Sequence, residues 1–332
     1  MTYNTPEELM QLSRNFMGSR ILFTAAELNI FDILNRTSLT ALEIAAKLNT
    51  NMRATTILLD ALAAMKLLVK NSDSYQCPPS LASYLSNDDP NSVMPMILHA
   101  SHLWNRWSHL TDIVRGGTKS LAERGTFFRG EELKAFIGAM HAVSAPRAEE
   151  MITTINPGQS KALLDLGGAS GTYTIAFLKN SPEMKATLFD LPNVIELAQD
   201  RLEKEELLDR VNLIGGDYLN DEIPQGHDLA FLSAIIHSNS YEQNVSLYKK
   251  VFSSLIRGGR IIIRDHVMES DRIHSQDGAI FAVNMLVATE GGRTYTLDEI
   301  RTGLSQAGFE NIRQLKKSDR MDAIVEAYKP QA

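Results

Sequence analysis

Cysteine is almost missing from this 332-residue chain: Cys77 is the only one. A single thiol rules out a disulfide within the chain and a cysteine-built structural zinc site, and it fits a reducing, cytoplasmic setting. Long apolar runs are missing too. No stretch reaches the roughly 18 residues that a membrane-spanning helix needs, so no membrane partner is expected. The opening residues, Met1-Thr2-Tyr3-Asn4-Thr5-Pro6-Glu7-Glu8, are polar and acidic, unlike a secretory signal. Positive charge is in deficit. The 33 Lys and Arg against 40 Asp and Glu leave a net charge of −7, which argues against a broad basic face for nucleic acid. What remains is an ordinary globular balance, 44% hydrophobic and 22% charged, in a chain long enough for two domains.

Two kinds of periodicity divide the chain. Residues 5–85 read as helices, with a capped start at Thr5-Pro6-Glu7-Glu8 and a capping box at Thr40-Ala41-Leu42-Glu43. A helix is expected from Leu42 to Leu48, another from Met52 to Leu68, then a hairpin over Val69–Gln76. Helix, turn, helix, hairpin is the winged-helix order. Over residues 1–100 the acids outnumber the cations, and the second helix carries only Arg53 and Lys66, so packing or dimerisation suits this segment better than DNA. Residues 91–150 form a further helical region with clustered His, Trp and Met. From Lys161 onward short apolar strands alternate with helices. Strands are expected at Ala162–Leu166, Lys185–Asp190, Val211–Gly215, Asp228–Ile236 and Arg260–Asp265, with Ile312–Lys317 and Ala323–Tyr328 at the far edge. Helices are expected at Thr172–Lys179, Val194–Glu205, Tyr241–Leu255 and Leu297–Ala307. That alternation predicts an α/β domain with a parallel sheet covered on both faces.

The most informative stretch is Ala162-Leu163-Leu164-Asp165-Leu166-Gly167-Gly168-Ala169-Ser170-Gly171-Thr172. It reads as a buried strand, a glycine turn and a helix start, a shape that lets backbone approach a nucleotide-like ligand closely. Ala169 stands where the dinucleotide pattern G-x-G-x-x-G has its second glycine. Ligands of such sheets bind at the carboxyl ends of the strands, and three acids sit there. Asp165 closes the first strand. Asp190 closes the second, at the distance usual for a carboxylate that grips ribose hydroxyls. Asp217 follows the third, where it and Tyr218 would face an adenine ring. Singly, each acid reads as a loop acid or helix cap; at three successive strand ends they read as a nucleoside site. His237 follows the fourth strand, placed to accept a proton at neutral pH. Asp265 ends the fifth and is expected to fix the imidazole tautomer. His266 competes for the base role, but strand alternation points it away from Asp265.

Together these residues make the chain resemble the S-adenosylmethionine-dependent small-molecule O-methyltransferases, the family of plant phenolic, acetylserotonin and bacterial polyketide-tailoring enzymes. The resemblance spans nearly the whole chain: the dimerisation segment, Trp107-x-x-Leu110 to Gly117, Leu164-Asp165-Leu166-Gly167-Gly168, Phe189-Asp190-Leu191-Pro192, Gly215-Gly216-Asp217, His237 and Gly291-Gly292-Arg293-Thr294-Tyr295-Thr296. It implies a Rossmann-like class I methyltransferase domain at 101–332, with 101–160 as helical connection and pocket wall, after a winged-helix-like dimerisation domain at 1–100. A homodimer and a small-molecule acceptor are the implied partners, and S-adenosyl-L-methionine is the implied cofactor. Ser144, Asp165, Gly167, Gly168, Asp190, Leu191, Asp217, Tyr218 and Ser233 would hold it. His237 would be the base and Asp265 its flanking acid. Trp104, Met140, His141 and Met285, with Met268 and Phe281, would line an apolar acceptor pocket.

Four residues depart from the family pattern. Ser238-Asn239 stand in place of Asp-Trp or Asn-Trp after the base, Ser233 in place of a lysine, and Thr294 in place of a second acid. The expected reaction is in-line methyl transfer, with alignment worth up to roughly 7–11 kcal/mol and proton removal about 10²–10⁴-fold. Three alternatives stay open: a cofactor-binding relative with another reaction, a nicotinamide oxidoreductase, and a winged-helix ligand-sensing regulator.

Overall fold

A computed structural model of the chain describes residues 3–118 and 130–331. They divide into two compact units, one of 3–104 with 130–142 and one of 105–118 with 143–331.

The first unit opens with α1 (Pro6–Glu27), started by the expected cap: Glu8 N–H donates to Thr5 Oγ1 and Thr5 N–H to the Glu8 carboxylate. Next come α2 (Ile30–Leu34), β1 (Leu39–Thr40) and α3 (Ala41–Leu48), the last capped by Thr40 and Glu43 and closed by Asn49 at φ 52°. Then α4 (Met52–Ala64) stops short of the expected Leu68. Lys66 turns left-handed at φ 64°, and Leu67 N–H closes back on Leu62 O, which carries Leu68 into the core at 3% exposure. The hairpin is β2 (Val69–Asn71) and β3 (Ser74–Gln76), in a sheet ordered β1-β3-β2. Ile30, Phe31, Leu34, Ile44, Leu59, Leu62 and Tyr75 form the core, and Cys77 lies buried and free beside them. Further along are α5 (Met94–Trp107), α6 (Leu110–Gly116) and α7 (Gly130–Ser144). Most of α7 belongs to the first unit, although the sequence groups it with the second.

The second unit is built on β4 (Ala162–Leu166), β5 (Lys185–Asp190), β6 (Val211–Gly215), β7 (His227–Ser233) and β8 (Leu255–Asp265), joined by α8 (Ala148–Ile155), α9 (Thr172–Asn180), α10 (Pro192–Lys204) and α11 (Tyr241–Ser254). After a short β9 (Val267–Met268) come α12 (Gln276–Ala288), β10 (Tyr295–Thr296), α13 (Leu297–Gln306), β11 (Glu310–Lys316) and β12 (Ala323–Tyr328). The main sheet has the order β11-β12-β8-β7-β4-β5-β6. Strands β8 to β6 are parallel, and β12 and β11 run antiparallel at the edge. Chain direction across the sheet reverses between β4 and β7, which makes their tops the switch point where ligands of such sheets bind. One face packs Leu164, Leu166, Leu232, Ile261 and Ile263 against Leu247, Tyr248 and Leu304. The other packs Leu163, Leu229, Phe231 and Ile262 against Ile152, Tyr173 and Phe177.

Strand β7 is shorter than expected. It ends at Ser233 because Ala234 is left-handed at φ 59°, and the chain then makes a single 3-10 turn over Ile236–Ser238. Directly after that turn, Ser240 starts α11 with a full capping box: Gln243 N–H donates to Ser240 Oγ at 3.2 Å, and Ser240 N–H to Gln243 Oε1 at 2.7 Å. Ser240→Ala is expected to cost about 1 kcal/mol of stability, seen as a lower urea midpoint; an unchanged midpoint contradicts this role for the cap.

Candidate active site

The turn after β4 is tight at its first two residues. A Cβ on Gly167, which sits at φ +71°, would lie 2.2 Å from Ile235 Cδ1, and one on Gly168 would lie 2.7 Å from Leu188 Cγ. Ala169 takes the left-handed conformation at φ 49° despite its methyl, which costs roughly 1–2 kcal/mol. Its N–H is held in return by Asp190, whose Oδ2 accepts from Ala169 at 2.8 Å and whose Oδ1 accepts from Leu191 at 2.7 Å. Asp190 O also accepts from Gly216 N–H at 2.8 Å, so one residue ties the tops of β4, β5 and β6 together. Each carboxylate oxygen keeps a lone pair for a ligand hydroxyl. Burial raises the Asp190 pKa above its ordinary value, against the two backbone N–H bonds.

Asp165 lies beneath the turn, at 2% exposure. Its Oδ2 accepts from Thr174 Oγ1 at 2.6 Å, and it faces α9 as its neighbour Leu163 does. It is thus placed to support the turn from below. Burial pushes its pKa up to about 7, with the Thr174 bond opposing and the Asp190 charge adding. Asp217 closes its own loop, Oδ1 accepting from Leu219 N–H at 2.9 Å and Oδ2 from Asn220 Nδ2 at 2.7 Å.

His237 and Asp265 meet at the tops of β7 and β8. Nδ1 of His237 lies 2.8 Å from Asp265 Oδ1 and 3.0 Å from Oδ2, with His237 7% exposed and Asp265 fully buried. A carboxylate only accepts, so Nδ1 carries the hydrogen, and in the neutral imidazole Nε2 keeps its lone pair. Asp265 is fixed in turn by His266 N–H at 2.7 Å. Phe281 of α12 stands edge-on to the His237 ring, centroids 4.8 Å apart, and 4.9 Å from the His266 ring. The His266 ring makes no bond to Asp265, and burial lowers its pKa. Met285, 7% exposed, lies one turn further along α12.

The sequence gives no hint of the network behind His237. Asn239, 2% exposed, accepts from Tyr218 Oη at 3.3 Å and donates to Asn244 Oδ1 at 3.0 Å; its carbonyl accepts from Tyr295 Oη at 2.6 Å. Asn244 Nδ2 closes the ring on Ile236 O at 2.8 Å. This network joins Tyr218 to the turn that carries His237. Ser144 is half-buried at the end of α7 in the second unit. Met140, His141 and Trp104 belong to the first unit, where the Trp104 ring packs on Phe16 and Phe23 of α1 beneath Arg20. Among the described residues no group of three or more His, Cys, Asp and Glu is arranged for a metal.

Linkage gives Asp165 a measurable signature. The folded protein keeps its proton to about pH 7, whereas an unfolded Asp releases it near about pH 3.9. Stability from this group is full below that lower value and is lost as pH rises to about 7, by at most about 4 kcal/mol. Asp165→Asn removes the titration, so the variant's melting temperature relative to wild type is expected to climb between pH 5 and pH 7.5; a constant difference contradicts the shift.

A family model for the O-methyltransferase domain matches residues 107–310, and one for the O-methyltransferase dimerisation domain matches residues 10–84. Tetracenomycin polyketide synthesis 8-O-methyl transferase of Streptomyces glaucescens is 30% identical over 314 residues, 93% of this chain and 92% of its own length. Acetylserotonin O-methyltransferase of Gallus gallus is 28% identical over 337 residues, 96% of each. Human N-acetylserotonin methyltransferase, solved in complex with SAM, matches with a TM-score of 0.84 at 25% identity and covers 99% of both chains. These matches set methyl transfer above the nicotinamide and ligand-sensing alternatives. The glycine turn, crowded at Gly167 and Gly168 and backed by Asp190, fits the nucleoside end of S-adenosylmethionine, and the chain belongs to the S-adenosylmethionine-dependent O-methyltransferase family.

Proposed function

We propose that this enzyme methylates a hydroxyl of a small aromatic acceptor, of polyketide or indole type, with His237 as the general base. The observation that carries it is the bond from His237 Nδ1 to Asp265, on the strand top beside the glycine turn. Relatives named for tetracenomycin synthesis and for acetylserotonin support the acceptor class.

S-adenosyl-L-methionine, when bound, supplies an electrophilic methyl on a sulfonium. Asp190 is assigned to the ribose hydroxyls, Gly167 and Gly168 to close backbone approach, and Leu191, Asp217 and Tyr218 to the adenine side. Ser144 and Ser233 are assigned to the amino-acid end. Asp165 acts through the turn it supports. His237 Nε2 takes the acceptor's proton as the oxygen gains its methyl, and Asp265 stabilises the imidazolium that results. Phe281 and Met285 offer apolar surface for a flat ring beside the base.

A homodimer formed through the first unit is part of the same reading. Leu9, Met10, Leu12, Phe16 and Met17 of α1 are each about half exposed, a run of apolar surface that a second copy would cover. No helix among the described residues is long and apolar enough to cross a membrane. We place the enzyme in the cytoplasm, in keeping with Cys77 as its sole cysteine.

The test is a screen of phenolic and hydroxyindole acceptors with S-adenosylmethionine, following S-adenosylhomocysteine release and the site of methylation. Methylation on oxygen is expected. In His237→Ala, kcat is expected to fall about 10²–10⁴-fold, with S-adenosylhomocysteine affinity unchanged. Wild-type turnover in that variant, or methyl found on carbon or nitrogen, contradicts the proposal.

A further inference from the structure

Arg264 precedes Asp265 on β8, so its side chain goes to the opposite face of the sheet, toward α9. It is 6% exposed. Nη1 donates to Ser233 Oγ at 3.1 Å, across the parallel register that sets Ser233 beside Arg264. The guanidinium lies over the Tyr173 ring, with Cζ 5.3 Å from the centroid. No carboxylate among the described residues pairs with it. The acids nearby in sequence or register are committed elsewhere: Asp265 to His237, Asp165 to Thr174, and Glu326 to Arg260 at 3.2 Å.

A buried guanidinium without a counter-ion is strongly unfavourable, because neither water nor an anion compensates its charge. Here the deficit has a direction. Nε has no partner, and among the described residues Nη2 makes no hydrogen bond either, so the side-on edge of the fork is unused. Tyr173 Oη, in the first turn of α9 after the glycine turn, is also buried without a partner. A planar fork and a hydroxyl, both unsatisfied, thus lie between the helix that follows the glycine turn and the top of β7. That edge geometry matches a carboxylate, which accepts two parallel N–H bonds.

We infer that Arg264 receives the amino-acid carboxylate of S-adenosylmethionine through Nε and Nη2, with Tyr173 Oη as an additional donor. The inference rests on the proposed seating of the cofactor at the glycine turn. The carboxylate is the only anionic group that S-adenosylmethionine carries, so it is the part of the cofactor that can neutralise this cation. Ser233 then acts as a positioning residue, because its hydroxyl occupies Nη1 and leaves the other edge turned to the ligand.

The test is calorimetric titration of the full chain, without acceptor, using S-adenosylmethionine and its decarboxylated analogue, which lacks that group alone. Wild type is expected to prefer S-adenosylmethionine by about 10–100-fold, the range of one charge-assisted pair. Arg264→Gln is expected to lose that preference, weakening S-adenosylmethionine while leaving the analogue unchanged. Arg264→Lys should retain part of it, and Tyr173→Phe should lose a smaller share. Equal weakening of both ligands in Arg264→Gln assigns the residue to structure alone and overturns the inference. Should that variant not fold, the wild-type preference decides, and its absence overturns the inference. Failure of wild type to bind either ligand instead overturns the cofactor seating itself.

Discussion

A buried neutral imidazole has two ring nitrogens that only its neighbours distinguish. At His237 the distinction is made by Asp265, whose carboxylate accepts a hydrogen bond from Nδ1 and is itself pinned by the following backbone N–H. Several features of the fold converge on that contact. Parallel pairing of β7 and β8 puts their ends side by side. The left-handed step at Ala234 and the 3-10 turn after it swing the imidazole back over the strand top, and the Asn239–Asn244 bond ties that turn to α11. The proposed base is thus oriented by backbone geometry and a polar network.

Successive residues of β8 serve opposite faces. Asp265 looks toward His237, and Arg264 toward Tyr173 of α9. In the proposed seating of cofactor and acceptor, strand alternation lets one strand end address both reactants. Asp190 does comparable work across the sheet, joining three strand tops through one carboxylate and one carbonyl.

The framework was legible where short apolar runs end in Gly, Pro or an acid: β4, β5, β6 and β12 have the ends read from sequence. It was less so where conformation departs from residue preference. The end of β7 was placed at Ile236 because nothing in Ser233-Ala234-Ile235 announces a left-handed alanine. The start of β8 was placed at Arg260, since Gly258-Gly259 reads as a breaker, yet the strand runs on from Leu255 with a register shift against β7. Helix α12 escaped because it is apolar on nearly every side and shows no clear period. In the candidate site, the places of Asp190 and Asp265 at strand ends were legible, whereas His237 sits in the 3-10 turn beyond β7. Asp165 was read as facing the ligand, although its alternation with Leu164 and Leu166 turns it toward α9. Asn239 looked like a lost motif; its role depends on Tyr218, Tyr295 and Asn244, partners distant enough in sequence that no local pattern joins them.

The position of one proton on His237 decides whether it can act as the base, and it can be observed directly. Histidine-selective 15N labelling, with the His237 signals assigned by their loss in His237→Gln, reports which ring nitrogen carries hydrogen in the neutral imidazole. A protonated Nδ1 and a bare Nε2 are expected in the wild-type enzyme. A protonated Nε2 with a bare Nδ1 would contradict this expectation, because no lone pair would then be available to the acceptor hydroxyl.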